Sequence, residues 1–180
     1  IDRSKALRSA IDCVFGNKNP VQRCRKHKVA NVMDHLPDEL KEQVKNVLKA
    51  AWRLGADEGK KRIKQQAGQL EVNYPSAAKS LLEGLDEMFT VNQMGLPKEL
   101  SRCLCTTNII ESPNSGVRMR TRRVCNWQDG QMVLRWATAA FLETEKNFQK
   151  IGGYKQLWML KSYLDELEKE EMVAEKRKVG

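Results

Sequence analysis

Histidine occurs only twice in the 180 residues, as His27 and His35. Two are too few for a histidine-rich zinc hydrolase centre. No apolar run approaches the ~18 residues a transmembrane helix needs, so no membrane span is expected. A glycine-rich phosphate loop is missing, which argues against a nucleotide-driven motor. No serine sits in a nucleophile elbow. Aromatic residues make up 6% of the chain. The first residues, Ile1-Asp2-Arg3-Ser4-Lys5, carry no apolar signal segment and no Met. The expectation is therefore a segment cut from something longer. Five cysteines, an odd number without secretory context, point to reduced thiols and a cytoplasmic setting.

What is present is charge. Thirty-two basic residues against 23 acidic leave a net +9. A basic surface suits a polyanion, either nucleic acid or an anionic membrane face, or belongs to a merely basic cytosolic protein. Apolar residues at 41% and charged residues at 31% describe a globular chain able to bury a core without metal or disulfide staples.

The pattern divides along the chain. Residues 1–36 read as strand, helix, strand, helix. Ile1-Asp2 is a strand end, and Ala6, Leu7, Ala10, Ile11 and Val14 recur at helical spacing until Gly16-Asn17. Pro20 to Cys24 suits a short buried strand, and Val29, Val32 and Met33 mark a second helix. Such alternation suggests a parallel sheet. Residues 37–103 give no strand signal. Pro37-Asp38-Glu39-Leu40 opens a helix that Gly55 ends. A second helix covers about 57–69, weakened by Gly59 and Gly68. A third starts at Tyr74-Pro75-Ser76 and continues through Leu81, Leu85, Met88 and Phe89. Residues 104–150 contain a basic stretch followed by a helix, and 151–180 a last helix after Gly152-Gly153.

Two features of the basic stretch stand out. Between 100 and 127 there are five arginines and one acid, Glu111. That carboxylate is either a helix-start residue balanced by arginines or a functional group. Pro113 would kink a helix there, unless Ser112 caps one that starts at the proline. Cys24-x-x-His27 has metal-ligand spacing, but half a site is not a site. Cys103 and Cys105 would complete a zinc set only if the fold brought them close; otherwise Cys24 is a buried structural thiol. Trp127, Trp136 and Trp158 could stack on bases. Helical spacing assigns Trp136 and Trp158 to the core, and Trp127 to a loop beside the arginines.

Several blocks together carry a resemblance. They are Asp2-x-Ser4-Lys5-Ala6-Leu7, then Val21-Gln22-Arg23-Cys24-x-x-His27-Lys28-x-x-Asn31-Val32, then Thr106-Thr107-Asn108-Ile109-Ile110-Glu111-Ser112-x-Asn114-Ser115. Arg120-Thr121-Arg122-Arg123-Val124-x-x-Trp127, Leu134-Arg135-Trp136-Ala137 and Gly153-Tyr154 follow. In this order they resemble the mutator family of bacterial insertion-sequence transposases, over nearly the whole chain. The resemblance implies an α/β, mainly helical chain: part of an RNase H-like fold with an all-helical insertion. Residues 1–36 and 104–150 would belong to its catalytic core, 37–103 to the insertion and 151–180 to a C-terminal helix.

It also implies a DDE site in which Asp2 is the second carboxylate and Glu111 the third, both catalytic and both ligands of Mg²⁺ or Mn²⁺. Arg118, Arg120, Arg122, Arg123 and Trp127 are expected to meet DNA. Cys24, His27, Asn31, Thr107, Asn108 and Asn114 are motif positions with structural roles. The first Asp lies upstream of residue 1. Arg3 stands where the family often has Gly, and Ala30 where it often has Arg. The expected partners are DNA, as element ends and target, and further copies of the protein assembled on it, with no membrane and no small-molecule substrate. The expected place is the bacterial cytoplasm, at the nucleoid. The expected activity is cleavage and strand transfer, absent from this segment alone. The other reading is a non-catalytic, basic, helical DNA-binding or assembly remnant of a decayed element.

Overall fold

The structure, a computed structural model, describes every residue except Arg3, Asn17, Lys18 and Gly180, together with the side chains of Glu171 and residues 174–179. Arg3 and Asn17, both used in the sequence reading, lie outside the described residues. Among the described residues ten helices are formed: α1 Lys5–Phe15, α2 Arg25–Met33, α3 Asp38–Ala51, α4 Ala56–Leu70, α5 Pro75–Leu82, α6 Thr90–Gln93, α7 Lys98–Leu104, α8 Asn108–Thr121, α9 Gly130–Glu145 and α10 Leu157–Val179. Two 3-10 turns, Asp86–Met88 and Tyr154–Gln156, lie between them.

The mainly helical expectation holds, and the strands do not appear: among the described residues there is none. Pro20 to Cys24 is extended but not part of a sheet. Arg23 N–H donates to Glu87 O (2.9 Å), and the strand-like pairing is with Ile1. The Ile1 amino nitrogen donates to Gln22 O (2.5 Å), and Cys24 N–H donates to Ile1 O (2.7 Å). One residue bonding both neighbours of Arg23 is the pattern of a single parallel bridge. One bridge is too short for a ladder, because each further rung needs a neighbouring residue in register.

The core belongs to the helical middle of the chain. Val32, Val44, Leu48, Ile63, Leu81, Met88 and Phe89 are buried in one cluster. The i, i+4 spacing of Val44 and Leu48 turns one face of α3 inward, and α4 packs between α3 and α5. Asp38 and Glu39 in the first turn and Lys49 in the last suit the helix dipole. Gly59 is a packing position rather than a weak point. A Cβ there would lie 2.3 Å from Phe89 Cε1 and 2.6 Å from Ala51 O.

The expected third helix is broken. Glu83 is extended and Gly84 takes φ +62°, so α5 stops at Leu82 and Leu85, Met88 and Phe89 enter the core from a 3-10 turn. Lys28 holds the end of α5. Its buried ammonium donates to Ser80 O (2.5 Å) and Glu83 O (2.6 Å), carbonyls left open at the helix C-terminus. Glu87 ties the first residues to this unit, accepting from Arg8 Nη1 (2.7 Å) and Arg23 Nε (3.0 Å).

The remaining helices bury little. Trp136 is 43% exposed and Trp158 65%, which overturns their assignment to the core. Periodicity marks apolar faces on α9 and α10, but α8 covers α9 only around Ala140 and Thr144, and among the described residues the rest stays uncovered. Leu134, Phe141, Leu142 and Phe148 are exposed on the same account.

Candidate active site

Asp2, His27 and Glu111 come from three separate parts of the chain and meet at one place. The residue after the Ile1 bridge is Asp2, so that pairing sets its position. His27 stands in the first turn of α2, directly after buried Cys24. Glu111 stands in the first turn of α8. The imidazole lies between the acids, with Nδ1 3.6 Å from Asp2 Oδ1 and Nε2 3.4 Å from Glu111 Oε1. The first distance is too long for a hydrogen bond, and Nδ1 is buried with no hydrogen-bond partner. Lys26 adds a cation, its Nζ 3.6 Å from Glu111 Oε2.

Thr107 organises the Glu111 side. Its carbonyl accepts from Ile110 N–H (3.0 Å) and Glu111 N–H (2.9 Å), which starts α8. Its hydroxyl donates to Glu111 Oε1, and the hydroxyl oxygen itself lies 3.4 Å from Cys24 Sγ. The Thr107 hydrogen bond, with the charges of Lys26 and His27, holds the Glu111 carboxyl below the usual carboxylate range. Desolvation opposes the shift only in part. The group is therefore ionised at neutral pH and offers oxygen donors.

Helix α8 continues through Pro113, so it does not start at the proline with Ser112 as its cap. Inside the helix the proline removes the bond to the Ile109 carbonyl and crowds that oxygen with its ring. The helix is seated on α9 by a close approach: a Cβ at Gly116 would fall 2.3 Å from Thr144 Cγ2 and 2.7 Å from its Oγ1. Gly116→Ala is expected to cost roughly 1–3 kcal/mol by overpacking, less a fraction recovered as helix propensity. In Gly116→Ala/Thr144→Ala only the Thr144 Cβ contact, at 3.1 Å, remains. Urea unfolding of the four proteins should show the double variant less destabilised than the sum of the singles.

The other expected site residues are more dispersed. Arg118 lies seven residues beyond Glu111, hence two turns along the same face of α8, and is exposed. Arg122 and Arg123 are exposed just past the helix. Arg120 is half-buried and donates to Gly116 O (3.1 Å) in its own helix. Trp127 is 42% exposed. Asn108 and Asn114 are exposed on α8, and Asn31 is half-buried one turn beyond His27. Cys24 and Cys105 are both buried and Cys103 half-buried; among the described residues no group of three His, Cys, Asp or Glu is arranged to hold a metal ion. Lys26 was not anticipated, although it lies in the basic run Arg25-Lys26-His27-Lys28.

Residues 1–151 match the family described as "Transposase, Mutator family", and the chain belongs to it. Two curated relatives are similar over 134 residues, 74% of this chain. One is the transposase for insertion sequence element ISRM5 of Rhizobium meliloti (strain 1021), 28% identical over 33% of its own length. The other is the transposase for insertion sequence element IST2 of Acidithiobacillus ferrooxidans, 31% identical over 44% of its length. The chain thus spans less than half of either relative. Helix α10 lies beyond the family match. Among the described residues no helix is long and apolar enough to cross a membrane.

Proposed function

We propose that this chain contributes two carboxylates, Asp2 and Glu111, to a DDE site that cuts the ends of an insertion sequence and joins them to target DNA. The observation that carries the reading is the convergence of two acids, far apart in sequence, on one imidazole. The parallel Ile1 bridge, with α1 between its two partners, is what the end of a strand-helix-strand core would leave, and so supports an RNase H-like arrangement of residues 1–36 and 104–150 around the helical insertion.

The donor set fits a divalent metal. Mg²⁺ takes hard oxygen ligands and is commonly held by one or two carboxylates plus substrate phosphates, so a third protein ligand close by is not required. Asp2 and Glu111 would hold it, and Lys26 already supplies a positive charge beside Glu111. Bound there, the metal would activate the attacking hydroxyl or water and stabilise the leaving oxygen of phosphodiester transfer. The protein's own part is to keep Glu111 ionised through Thr107 and to orient both acids toward one point. The exposed Arg118, Arg122 and Arg123 would neutralise backbone phosphates, which a guanidinium can grip through two oxygens at once. DNA, and further copies of the protein assembled on it, are the partners this reading calls for.

Mn²⁺ titration followed by NMR tests it without any need for turnover. Paramagnetic broadening should begin at Asp2 and the first turn of α8, and Asp2→Asn or Glu111→Gln should remove it. Broadening spread evenly over the acidic stretch of α10 would instead favour a basic DNA-binding module without a metal site.

A further inference from the structure

A second feature lies outside the acid pair. A cleft of ≈ 900 Å³ runs between the end of α3 and α7. Arg25, Lys49, Arg53, Lys98 and Arg102 line it beside Trp52, and no carboxylate does. Lys49, Arg53, Lys98 and Arg102 form no ion pair among the described residues, and all four are exposed. Arg25 is built into the wall: it stacks on Trp52 at 5.3 Å and donates to Met88 O (3.1 Å) and to Asn92 Oδ1. The Asn92 amide in turn donates to Trp52 O (3.1 Å) and Leu54 O (3.0 Å), fixing the turn after α3. Four unpaired cations facing one space repel each other, and a polyanion relieves that repulsion.

The cleft also borders the acid pair through the chain on both sides. Arg25 immediately precedes Lys26 and His27, which contact Glu111. Thr106, at the α7 end of the cleft, immediately precedes Thr107, which holds the same carboxylate.

We propose that the α3–α7 cleft seats the phosphate backbone of a DNA strand and leads it toward Asp2 and Glu111. The inference rests on the DNA-transfer reading above, and adds a second binding surface to the arginines after Glu111.

Its test is a salt series of DNA binding, read by anisotropy of a labelled duplex, on the full chain. Each phosphate contact contributes about 0.9 to the slope of log affinity against log salt. Arg53→Gln/Arg102→Gln should therefore flatten the slope by about two units and weaken binding about tenfold or more near 0.1 M salt. Lys41→Gln/Lys161→Gln removes the same charge at exposed sites paired with Asp38 and Asp165, and should change the slope little. Arg53→Lys/Arg102→Lys should retain most of the affinity.

Lysine acetylation of the unsubstituted chain gives a readout independent of variant folding. DNA should protect Lys49 and Lys98 and leave Lys41 reactive. Equal losses in the cleft and control pairs, or unprotected Lys49 and Lys98, would overturn the proposal. Protection by inorganic phosphate as strong as that by DNA would also overturn it, in favour of a small-anion site. If the unsubstituted chain binds DNA and the cleft variants bind equally well, only this inference fails. If the unsubstituted chain binds no DNA, the proposed function fails with it.

Discussion

Glu111→Gln should lower metal-dependent strand cleavage by about a thousandfold in a full-length transposase carrying this segment, while leaving DNA affinity nearly unchanged. Glutamine keeps the size of the side chain and can still accept from the Thr107 hydroxyl, so α8 should start at the same place. What it lacks is the negative charge that Lys26 and His27 face, and that a divalent cation requires. Glu111 is only half-buried and its charged partners are solvated, so folding should tolerate the change. Binding depends on cations elsewhere, and the loss of one negative charge near a polyanion cannot weaken it much. Cleavage assays on element-end duplexes with Mg²⁺ would measure the first effect, and anisotropy with the same duplex the second. Cleavage at the unsubstituted rate would remove Glu111 from the acid pair. Loss of cleavage and binding together would make it a structural residue of α8. Asp2→Asn provides the matched case, because it alters the opposite side of the same imidazole.

The sequence disclosed these two acids only through short blocks of neighbouring residues, because their meeting is a long-range event. No local pattern says that the residue after Ile1 and a residue on α8 share one histidine. That follows from the Ile1 bridge to Gln22 and Cys24, and from the Thr107 contact with Cys24. Helices α1 and α3 were legible because their apolar residues repeat on one face. The stop at Gly84 was not, since Leu85, Met88 and Phe89 continue the same rhythm while the backbone turns through positive φ. The extended stretch from Pro20 to Cys24 is short enough for a buried strand; whether such a stretch becomes one depends on neighbours, not on its own residues. Periodicity likewise showed that Trp136 and Trp158 lie on apolar faces without showing whether anything packs there. The α3–α7 cleft was the least visible feature. Its cations come from three helices and one turn, and only tertiary packing gathers them.

Phe89→Ala should be the most damaging single truncation of the helical core, at about 3–5 kcal/mol. Phe89 is 0% exposed and sits between the 3-10 turn and α6, a segment with little helix to stabilise it locally. Its ring closes the space left by Gly59, where a Cβ would come within 2.3 Å of Cε1. Removing the ring opens a cavity in the cluster it shares with Leu48, Ile63 and Leu81, which rigidly packed helices can only partly collapse. The effect should reach the cleft as well, because Phe89 O accepts from Gln93 N–H (3.2 Å) and so anchors the helix that carries Asn92. The slope of DNA binding against salt should then fall together with stability. Gly59→Ala supplies the complementary probe. In the unsubstituted chain it should cost roughly 1–3 kcal/mol by overpacking. In the Phe89→Ala background it should cost less, though not nothing, because the Ala51 carbonyl remains 2.6 Å from the new methyl. Urea unfolding of the four proteins measures the cycle. A Phe89→Ala stability within about 1 kcal/mol of the parent, well below the usual cost of a buried Phe truncation, would mean that this cluster does not hold the fold together.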